Sequence, residues 1–435
     1  MSPSSDVEEF QLLNRLSSES AADEFDGDSY SYFAEYNRKS RLSTLPLFWP
    51  SYTNPPDHYL TTQRRCKESV TFGRGNPHNE TVFIAASIYD PGGKLAGKDW
   101  GQAVIRLIEL LGPDNVFLSL YENDPDPGAD ASLNALRNRV PCNNSIVSEH
   151  LPVEDLPHIR LPSGDNVIKR IAYLAEVRNR ALEPIKTNTS TQFDKLLFLN
   201  DVIFDPIEAI QLLFSTNIDE NSGRAQYSAA CAVDFINPFK FYDTFATRDL
   251  EGFGIGVPLY PWFTDSGLAL SRNDVFAQKD AVRVRSCWGG MVAFQAKWFQ
   301  RDQVLVDHNF GNLLPLHFRY EEDTFWDASE CCLIHADLTY VVHGGKSDSN
   351  DTGIFMNPYV RGAYDPTTLS WPPYTRRIER LYSPFQSFMS HLARLPTASP
   401  RRLRQPGQRV IQKIWEGEPS QSRWLSSKRS YREIG

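Results

Sequence analysis

Short apolar runs that alternate with segments of helical spacing constrain the fold of this 435-residue chain more than any other feature. Four runs have the length and composition of buried strands: Thr81–Ile88, Asn115–Tyr121, Lys195–Leu199 and Tyr227–Val233. Apolar residues recur at helical spacing from Trp100 to Leu111 and again over Val167–Ile185. Strands alternating with helices predict an α/β fold with a mainly parallel sheet and helices on both faces.

The two ends of the chain differ from this central part. Residues 1–30 hold eight acids and one base, whereas residues 391–435 hold ten bases and three acids. Such ends are typical of flexible extensions, and a surface for a partner or a membrane is the alternative interpretation. We predict an extended N-terminal segment at 1–65, one folded domain at 66–395 and a basic tail at 396–435. Residues 1–60 and 400–435 should then be dispensable for catalysis.

Composition excludes some classes of protein. A net charge of −9 argues against a nucleic-acid binder. No run approaches the roughly 20 apolar residues of a membrane-spanning helix, and no signal peptide is visible. Four N-x-S/T sequons give only weak support for the secretory pathway, and they start at Asn79, Asn143, Asn188 and Asn350. Six cysteines, without a C-x-x-C pair or zinc spacing, are compatible with one to three disulfides or none.

Polar side chains follow three of the predicted strands. Tyr89 and Asp90 come after the first, Asn200 and Asp201 after the third, and Asp234 after the fourth. Ligands of open α/β sheets bind beyond the carboxyl ends of the strands. A carboxylate such as Asp201, placed there, can hold a divalent cation. The alternative is that Asp201 only ends the strand or caps the next helix.

Three further segments carry groups suited to binding or catalysis. Arg178 and Asn179 precede the Asp201 strand, and a guanidinium there can bind phosphate, although a solvated helix face explains it too. Residues 317–337 are dense in acids, aromatics and histidine, which favours a pocket rim over a simple charged loop. Gly289-Gly290 lets the backbone approach a ligand closely or forms a tight turn.

Six ordered motifs resemble one family, the fungal cryptococcal α-1,3-mannosyltransferases and capsule-associated proteins. The motifs are FIAASIYD (83–90), FLND (198–201), AACAVDF (229–235), FYDTFATRD (241–249), SCWGGMVAF (286–294) and SECCLIHADL (329–338). The resemblance implies a GT-A type glycosyltransferase with a Rossmann-like domain. It also implies GDP-mannose as donor, a mannoside or glycan acceptor, Mn²⁺ or Mg²⁺ as cofactor, and retention of the α configuration.

The resemblance also implies roles for particular residues. Asp201 matches the metal-binding acid of the family, and Asn200 stands where many related enzymes have a second acid. His335 is expected as a second metal ligand. Nucleotide-sugar contacts are expected from Tyr89, Arg178, Asn179 and Asn200. Acceptor binding or base-like roles are expected from Asp234 and Glu330.

Two expectations about biological context follow from the same resemblance. The family's members are usually Golgi membrane proteins that build capsule, cell wall or other glycans, although no anchor is visible in this sequence. The alternative function is a catalytically silent carbohydrate-binding or assembly subunit. Its motivation is the single acid of the Leu199-Asn200-Asp201 segment, together with the charged ends.

Overall fold

The structure is a computed structural model, and it describes residues 49–160, 166–187, 191–301, 313–320, 329–344, 351–393, 395, 410–414 and 428–432. Most of the predicted N-terminal extension and basic tail lies outside these residues. Among the helices that are described, none is long and apolar enough to cross a membrane.

The strands are β1 to β14 in chain order. Their bounds are Val82–Ile88, Val116–Asn123, Asn143–Glu149, His158–Arg160, Asn166–Ile168, Lys195–Leu199, Ala229–Asn237, Lys240–Phe241, Arg248–Asp249, Val282–Ser286, Met291–Gln295, Ile354–Ala363, Val410–Ile414 and Lys428–Arg432.

The α-helices are α1 to α10 in chain order. Their bounds are Asp57–Glu68, Asp99–Leu111, Pro127–Arg139, Arg170–Thr187, Pro206–Ser215, Leu270–Phe276, Glu330–Val342, Pro366–Ser370, Pro372–Thr375 and Tyr382–Leu392. Short 3-10 turns occupy Pro113–Asn115, Val153–Asp155, Ala296–Trp298 and Glu379–Leu381.

The central sheet has the strand order β3-β2-β1-β6-β11-β7-β12-β10-β9, with β8 paired to β7. Strands β3, β2, β1 and β6 are mutually parallel, and β7 is parallel to β12. Strand β11 runs antiparallel between β6 and β7. The predicted α/β class with a mainly parallel sheet is therefore confirmed. The carboxyl ends of β1, β6, β7 and β12 meet at one edge of the sheet.

Helices cover both faces of the sheet, as predicted. Alternate residues of β1 face opposite ways, so Phe83 packs into one core and Ile84 into the other. The first core includes Leu182 of α4 and Ile334 of α7. The second includes Trp100 of α2, together with residues of α3 and α5. Strands buried on both faces read as continuous apolar runs, which is why their positions were predictable.

Two elements differ from the sequence prediction. The helix expected over Val167–Ile185 begins only at Arg170, because Val167 and Ile168 lie in β5 and pair with β4. Strand β12 was not predicted, since Pro358 lies in its interior and proline is unusual there. The pairing of β12 with β7 shifts register between Met356 and Arg361, so the strand accommodates Pro358 within an irregularity.

The predicted domain boundary at residue 66 requires correction. Helix α1 and the preceding residues belong to the folded unit, because Tyr52 and Tyr59 are fully buried in its core. The Tyr59 hydroxyl accepts a hydrogen bond of 2.7 Å from Asn357 Nδ2 in β12. Tyr52 and Tyr59 have few apolar neighbours in sequence, yet they are core residues because a strand far along the chain packs against them.

Candidate active site

Acidic and aromatic side chains gather where β1, β6, β7 and β12 end. Asp201 follows β6 by two residues, and Asp234 lies near the end of β7. Tyr364 directly follows β12. These side chains come from segments far apart in the sequence, and the sheet topology alone places them at one edge.

Asp201 is partly exposed and carries no capping function. The next helix, α5, is capped instead by Asp205, whose carboxylate accepts a hydrogen bond of 2.8 Å from the Ile207 N–H. Burial raises the pKa of the Asp201 carboxyl, and its own N–H and the Arg178 charge offset that shift only in part. No side chain in the described segments donates a hydrogen bond to Asp201. Its carboxylate is therefore available for a cation or a ligand.

Asp234 lies deeper, and its carboxyl is nearly inaccessible to solvent. Burial, and then the charge of Asp243, raise the pKa of Asp234 to about 8. The Tyr364 hydroxyl donates to Asp234 Oδ2 at 3.0 Å, and the Asp243 N–H donates to Oδ1 at 3.1 Å. Asp234 is thus a carboxyl that holds Tyr364 and the start of the following loop in place.

The charges of Asp201 and Asp234 raise the pKa of the same two residues, Tyr242 and Tyr364. Burial raises the pKa of Tyr364 well above its ordinary value, and the charges of Asp234 and Asp201 raise it further. The same two carboxylates, with Asp243, raise the pKa of Tyr242 in addition to its burial. The rings of Tyr242 and Tyr364 meet edge to face, with centroids 4.5 Å apart. We call Asp201, Asp234 and Asp243 the strand-end acids.

Arg178 is paired inside the protein and does not offer a free positive charge at the ends of the strands. Its guanidinium is buried and forms an ion pair with Glu330 of α7, and it donates to Cys331 Sγ at 2.7 Å. The guanidinium carbon also lies 4.3 Å from the ring centroid of Trp288. Arg178 and Glu330, predicted for donor contact and for catalysis, therefore satisfy each other across α4 and α7.

Asn179 and Asn200 are likewise engaged within the protein. The Asn179 amide makes two hydrogen bonds with the backbone of Phe318, of 2.8 and 2.9 Å. The Asn200 side-chain oxygen accepts from Trp288 Nε1 at 3.1 Å, and its backbone oxygen accepts from Trp100 Nε1 at 2.9 Å. Both residues, predicted to contact the donor, hold structural segments in place.

The Gly289-Gly290 pair forms a tight approach between strands. Both residues have positive φ, at 58° and 72°. A Cβ on Gly289 would lie 2.0 Å from the Ala232 carbonyl oxygen, and one on Gly290 would lie 2.4 Å from a Val202 methyl. Glycine is therefore required for contact with the protein's own strand β7 and with the segment after β6.

Tyr89 remains accessible, with 54% of its surface exposed at the end of β1. The next residue, Asp90, orders the following loop by accepting from the N–H groups of Leu95 and Ala96 at 2.7 and 2.8 Å. Glu122 at the end of β2 accepts from the Asp90 N–H at 3.0 Å. Tyr89 is thus an exposed aromatic residue beside a loop held by hydrogen bonds, and its ring is accessible to a ligand.

His335 lies inside the core formed by α7 and the sheet. Its ring packs 5.6 Å from the Phe294 ring, and its Nδ1 is 2.7 Å from the Cys331 carbonyl oxygen. Phe294 pairs with Leu196, which at about 3.3 Å per residue lies about 10 Å before the end of β6. Burial lowers the pKa of His335 to about 4. These surroundings are those of a neutral core histidine.

A disulfide between Cys231 and Cys287 lies beside His335. The two sulfurs and a ring nitrogen of His335 lie within 4.8 Å of one another. Throughout the described segments, these three residues form the only group of three or more such side chains at that spacing. Sulfurs joined in a disulfide are not thiolates, so this group is not a metal site. A cation at the strand ends would rest chiefly on Asp201 and on oxygens of its ligand.

Residues 317–320 and 329–337 of the segment 317–337 are described, and they pack against the core. Arg319 forms a bidentate ion pair with Asp337, with distances of 2.7 and 2.9 Å. Phe318 is buried, with its ring 5.7 Å from Trp288. Residues 321–328, which hold much of the predicted rim, lie outside the described residues.

Two residues of the site were not selected from the sequence. Asp243 lies within the motif FYDTFATRD, so a signal for it was present. It accepts hydrogen bonds from the Ala246 and Gly289 N–H groups and from the Thr247 hydroxyl. Tyr364 had no local signal, because its role depends on the pairing of β12 with β7.

The acids lie at the carboxyl edge of an open α/β sheet, which is where such sheets bind their ligands. The family described as "Cryptococcal mannosyltransferase 1" matches residues 81–337, more than half of the chain. This protein belongs to that family and is a glycosyltransferase of the mannosyltransferase class. A search of curated proteins found no match.

Two solved structures of low sequence identity are similar to this chain. One is the mannosyltransferase PcManGT from Pyrobaculum calidifontis in complex with GDP-Man and Mn2+, with 10% identity, 79% of this chain and 72% of that chain covered, and a TM-score of 0.36. Another is the glucosyl-3-phosphoglycerate synthase from Mycobacterium tuberculosis in complex with Mg2+ and uridine-diphosphate, with 12% identity, 90% and 96% covered, and a TM-score of 0.30.

Proposed function

We propose that this protein is a retaining α-1,3-mannosyltransferase of GT-A type that moves mannose from GDP-mannose to a mannoside acceptor. The observation that carries the proposal is the partly exposed carboxylate of Asp201 at the end of β6, beside Tyr242 and Tyr364. Among the described residues no side chain donates a hydrogen bond to it. Family membership supports the sugar. The linkage is proposed from the resemblance of the FLND and AACAVDF motifs.

In this proposal Asp201 holds a divalent cation, Mn²⁺ or Mg²⁺, together with oxygens of the donor diphosphate. When bound, the cation neutralises charge on the departing GDP. Exposed Tyr89 contacts the nucleotide. We do not assign a cation ligand role to His335, because it is buried beside the disulfide and Phe294.

The transfer breaks the bond between the mannose C1 and the diphosphate oxygen and forms a bond from C1 to the acceptor oxygen. When the transfer occurs in a single step, retention requires the acceptor to attack the face from which GDP leaves, and the acceptor proton passes to the leaving diphosphate. Asp234 and Glu330 then act as positioning residues. Asp234 fixes the Tyr364 hydroxyl, and Glu330 fixes Arg178.

The biological setting is proposed from the family alone. We place the protein in the secretory pathway, in the Golgi, where it would act in the synthesis of capsule, cell-wall or other glycans. The disulfide between Cys231 and Cys287 is compatible with an oxidising compartment.

A second candidate function is a carbohydrate-binding or assembly subunit without catalysis. It is favoured by the engagement of Arg178 and Asn200 in internal contacts. The single acid of the Leu199-Asn200-Asp201 segment favours it too. This candidate predicts binding of glycan without release of GDP.

The test is transfer from GDP-mannose to an α-mannoside by the purified full chain, with Mn²⁺, with Mg²⁺ and with a chelator. A panel of nucleotide sugars should first be screened by thermal shift, since a ligand at a hundredfold excess over its Kd stabilises by about 2.7 kcal/mol. Cation-dependent GDP release and an α-1,3-linked product by NMR would support the proposal. Glycan binding without GDP release would favour the subunit, and stabilisation by a different donor alone would reject GDP-mannose.

A further inference from the structure

His335 has a ring nitrogen that its surroundings leave without a hydrogen-bond partner. Its Nδ1 is 2.7 Å from the Cys331 carbonyl oxygen, which can only accept, so Nδ1 carries the proton and Nε2 carries the lone pair. Nε2 is buried, and no described residue forms a hydrogen bond with it. An unpaired polar atom in a core is costly and rare, so this lone pair calls for an explanation.

Two cysteine sulfurs lie beside this histidine. The Sγ atoms of Cys231 and Cys287 and a ring nitrogen of His335 all lie within 4.8 Å of one another. Each of the three residues has at most 1% of its surface exposed. They come from β7, from the position after β10 and from α7, so the fold and not a local motif brings them together. We call these three residues the sulfur–histidine cluster.

The sulfur–histidine cluster has the ligand set of a zinc site whenever its cysteines are thiols. Two thiolates and one imidazole bind zinc in some proteins, with a water as the fourth ligand. Neighbouring ligand atoms of a tetrahedral zinc site are about 3.5–3.8 Å apart, so the histidine nitrogen already lies close to the spacing required. A histidine that binds zinc usually donates its other N–H to a carbonyl or carboxylate oxygen, as His335 does to Cys331.

Charge and ligand type select zinc over the cations proposed for the strand ends. Two thiolates neutralise the charge of Zn²⁺, so the complex brings no net charge into the core. Thiolate and imidazole ligands suit zinc, whereas Mn²⁺ and Mg²⁺ prefer the oxygens of carboxylates and phosphates. In the oxidised protein the disulfide between Cys231 and Cys287 removes both thiolates, so only the reduced chain offers this site.

We propose that the sulfur–histidine cluster binds Zn²⁺ in the reduced protein and exchanges the metal for the disulfide on oxidation. Zinc binding releases the two thiol protons, and the Nε2 lone pair of His335 forms the third bond to the metal. A disulfide oxidant such as glutathione disulfide then takes two electrons from the thiolates and two protons from solvent. The bond between Cys231 and Cys287 forms, Zn²⁺ leaves, and the oxidant is released as two thiols. This inference does not depend on the proposed sugar transfer.

The test is zinc uptake by the purified full chain in its reduced and oxidised forms. A phosphine reductant gives the reduced form, and alkylation of all six cysteines in denaturant verifies the reduction. After dialysis against Zn²⁺, elemental analysis should find about one zinc more per reduced chain than per chain oxidised with glutathione disulfide. Oxidation of the zinc-loaded chain should release this metal as the disulfide forms.

Two histidine variants on α7 show whether the zinc is bound at this cluster. His335→Gln should weaken zinc binding by about a hundredfold or more, since even the outer partners of zinc ligands contribute about 10- to 100-fold. His343→Gln is the matched control, because His343 Nδ1 faces the Thr339 carbonyl oxygen at 2.9 Å on the same helix but lies outside the cluster. Its zinc affinity should equal that of the parent chain. Cys66→Ser/Cys142→Ser, which changes two cysteines outside the cluster, should also retain the metal.

Cobalt gives a measurement in the parent chain that does not depend on the folding of a variant. Co²⁺ in place of zinc should give visible bands of tetrahedral coordination and a near-ultraviolet thiolate charge-transfer band, and both should vanish on oxidation. Equal zinc content of the reduced and oxidised chains would overturn the proposal, as would cobalt binding without the thiolate band. Unchanged zinc affinity of His335→Gln, or loss of zinc from the Cys66/Cys142 variant, would place the metal at a different site and overturn it too.

Discussion

The guanidinium carbon of Arg178 lies 4.3 Å from the centroid of the Trp288 indole, whose Nε1 donates to the side chain of Asn200. Arg178 also pairs with Glu330, so one arginine connects α4, α7 and the loop that carries Gly289-Gly290. This contact explains why Arg178 and Asn200, both expected to meet the donor, are engaged within the protein.

Arg178→Ala should lower the free energy of unfolding by about 3–5 kcal/mol, because it leaves the Glu330 carboxylate buried without a partner. Urea denaturation would measure this loss. Arg180→Ala is the matched control, since Arg180 is exposed and its ion pairs should contribute at most about 1 kcal/mol. An Arg178 variant of normal stability that fails to bind the donor would instead assign Arg178 to the diphosphate.

Asp201→Asn should reduce turnover with GDP-mannose by roughly a hundredfold or more, the usual effect of removing one group that stabilises charge in the transition state. The rate of GDP release in saturating Mn²⁺ would measure it. Asp205→Asn removes a charge four residues away, and asparagine caps a helix as well as aspartate does, so its rate should be normal. Equal rates for both variants would remove Asp201 from the mechanism.

Glu122→Gln should stabilise the protein at pH 8 and have little effect at pH 4. Burial raises the pKa of Glu122 from 4.5 to about 7, so the folded state disfavours its charge. The stability that protonated Glu122 contributes to the folded state is fully present below pH 4.5 and is lost as the pH rises through about 7. The free energy of unfolding falls over this range by at most about 1.4 kcal/mol per pH unit. Urea unfolding at several pH values would measure the difference between variant and parent.

The matched control for the pH experiment is Glu183→Gln, an exposed position on α4. It should change stability by no more than about 0.5 kcal/mol at either pH. A Glu122→Gln variant whose stability follows the parent across the whole range would show that Glu122 is ionised in the folded protein at neutral pH.

Tyr59→Ala should destabilise the fold by about 3–5 kcal/mol, because it removes a large buried aromatic ring and the partner of Asn357. Leu60→Ala is the control, since Leu60 is 41% exposed on the same helix and should change stability little. A chain that begins at residue 49 should fold, and one that begins at residue 69 should not. Normal folding of the shorter chain would restore the boundary predicted at residue 66.

Local patterns were enough to locate the principal strands and the acids that follow them. An apolar run buried on both faces is visible in sequence, and a residue such as Asp201 directly follows its strand. Strand β12 was missed because its interior proline obscures the pattern. The start of α4 was misplaced because Val167 and Ile168 suit a strand and a helix face almost equally.

The sequence by itself determined the fold class, the family and the acid at the end of β6, since each depends on residues that are contiguous in the chain. Only the tertiary structure decided which polar side chains remain free for a ligand. Arg178 is paired by Glu330, 152 positions away, and Asp234 is held by Tyr364, 130 positions away. Which partner a polar side chain binds, and how far it is removed from water, depend on contacts between distant segments of the chain. The local hydrophobic pattern of the sequence carries no information about such contacts.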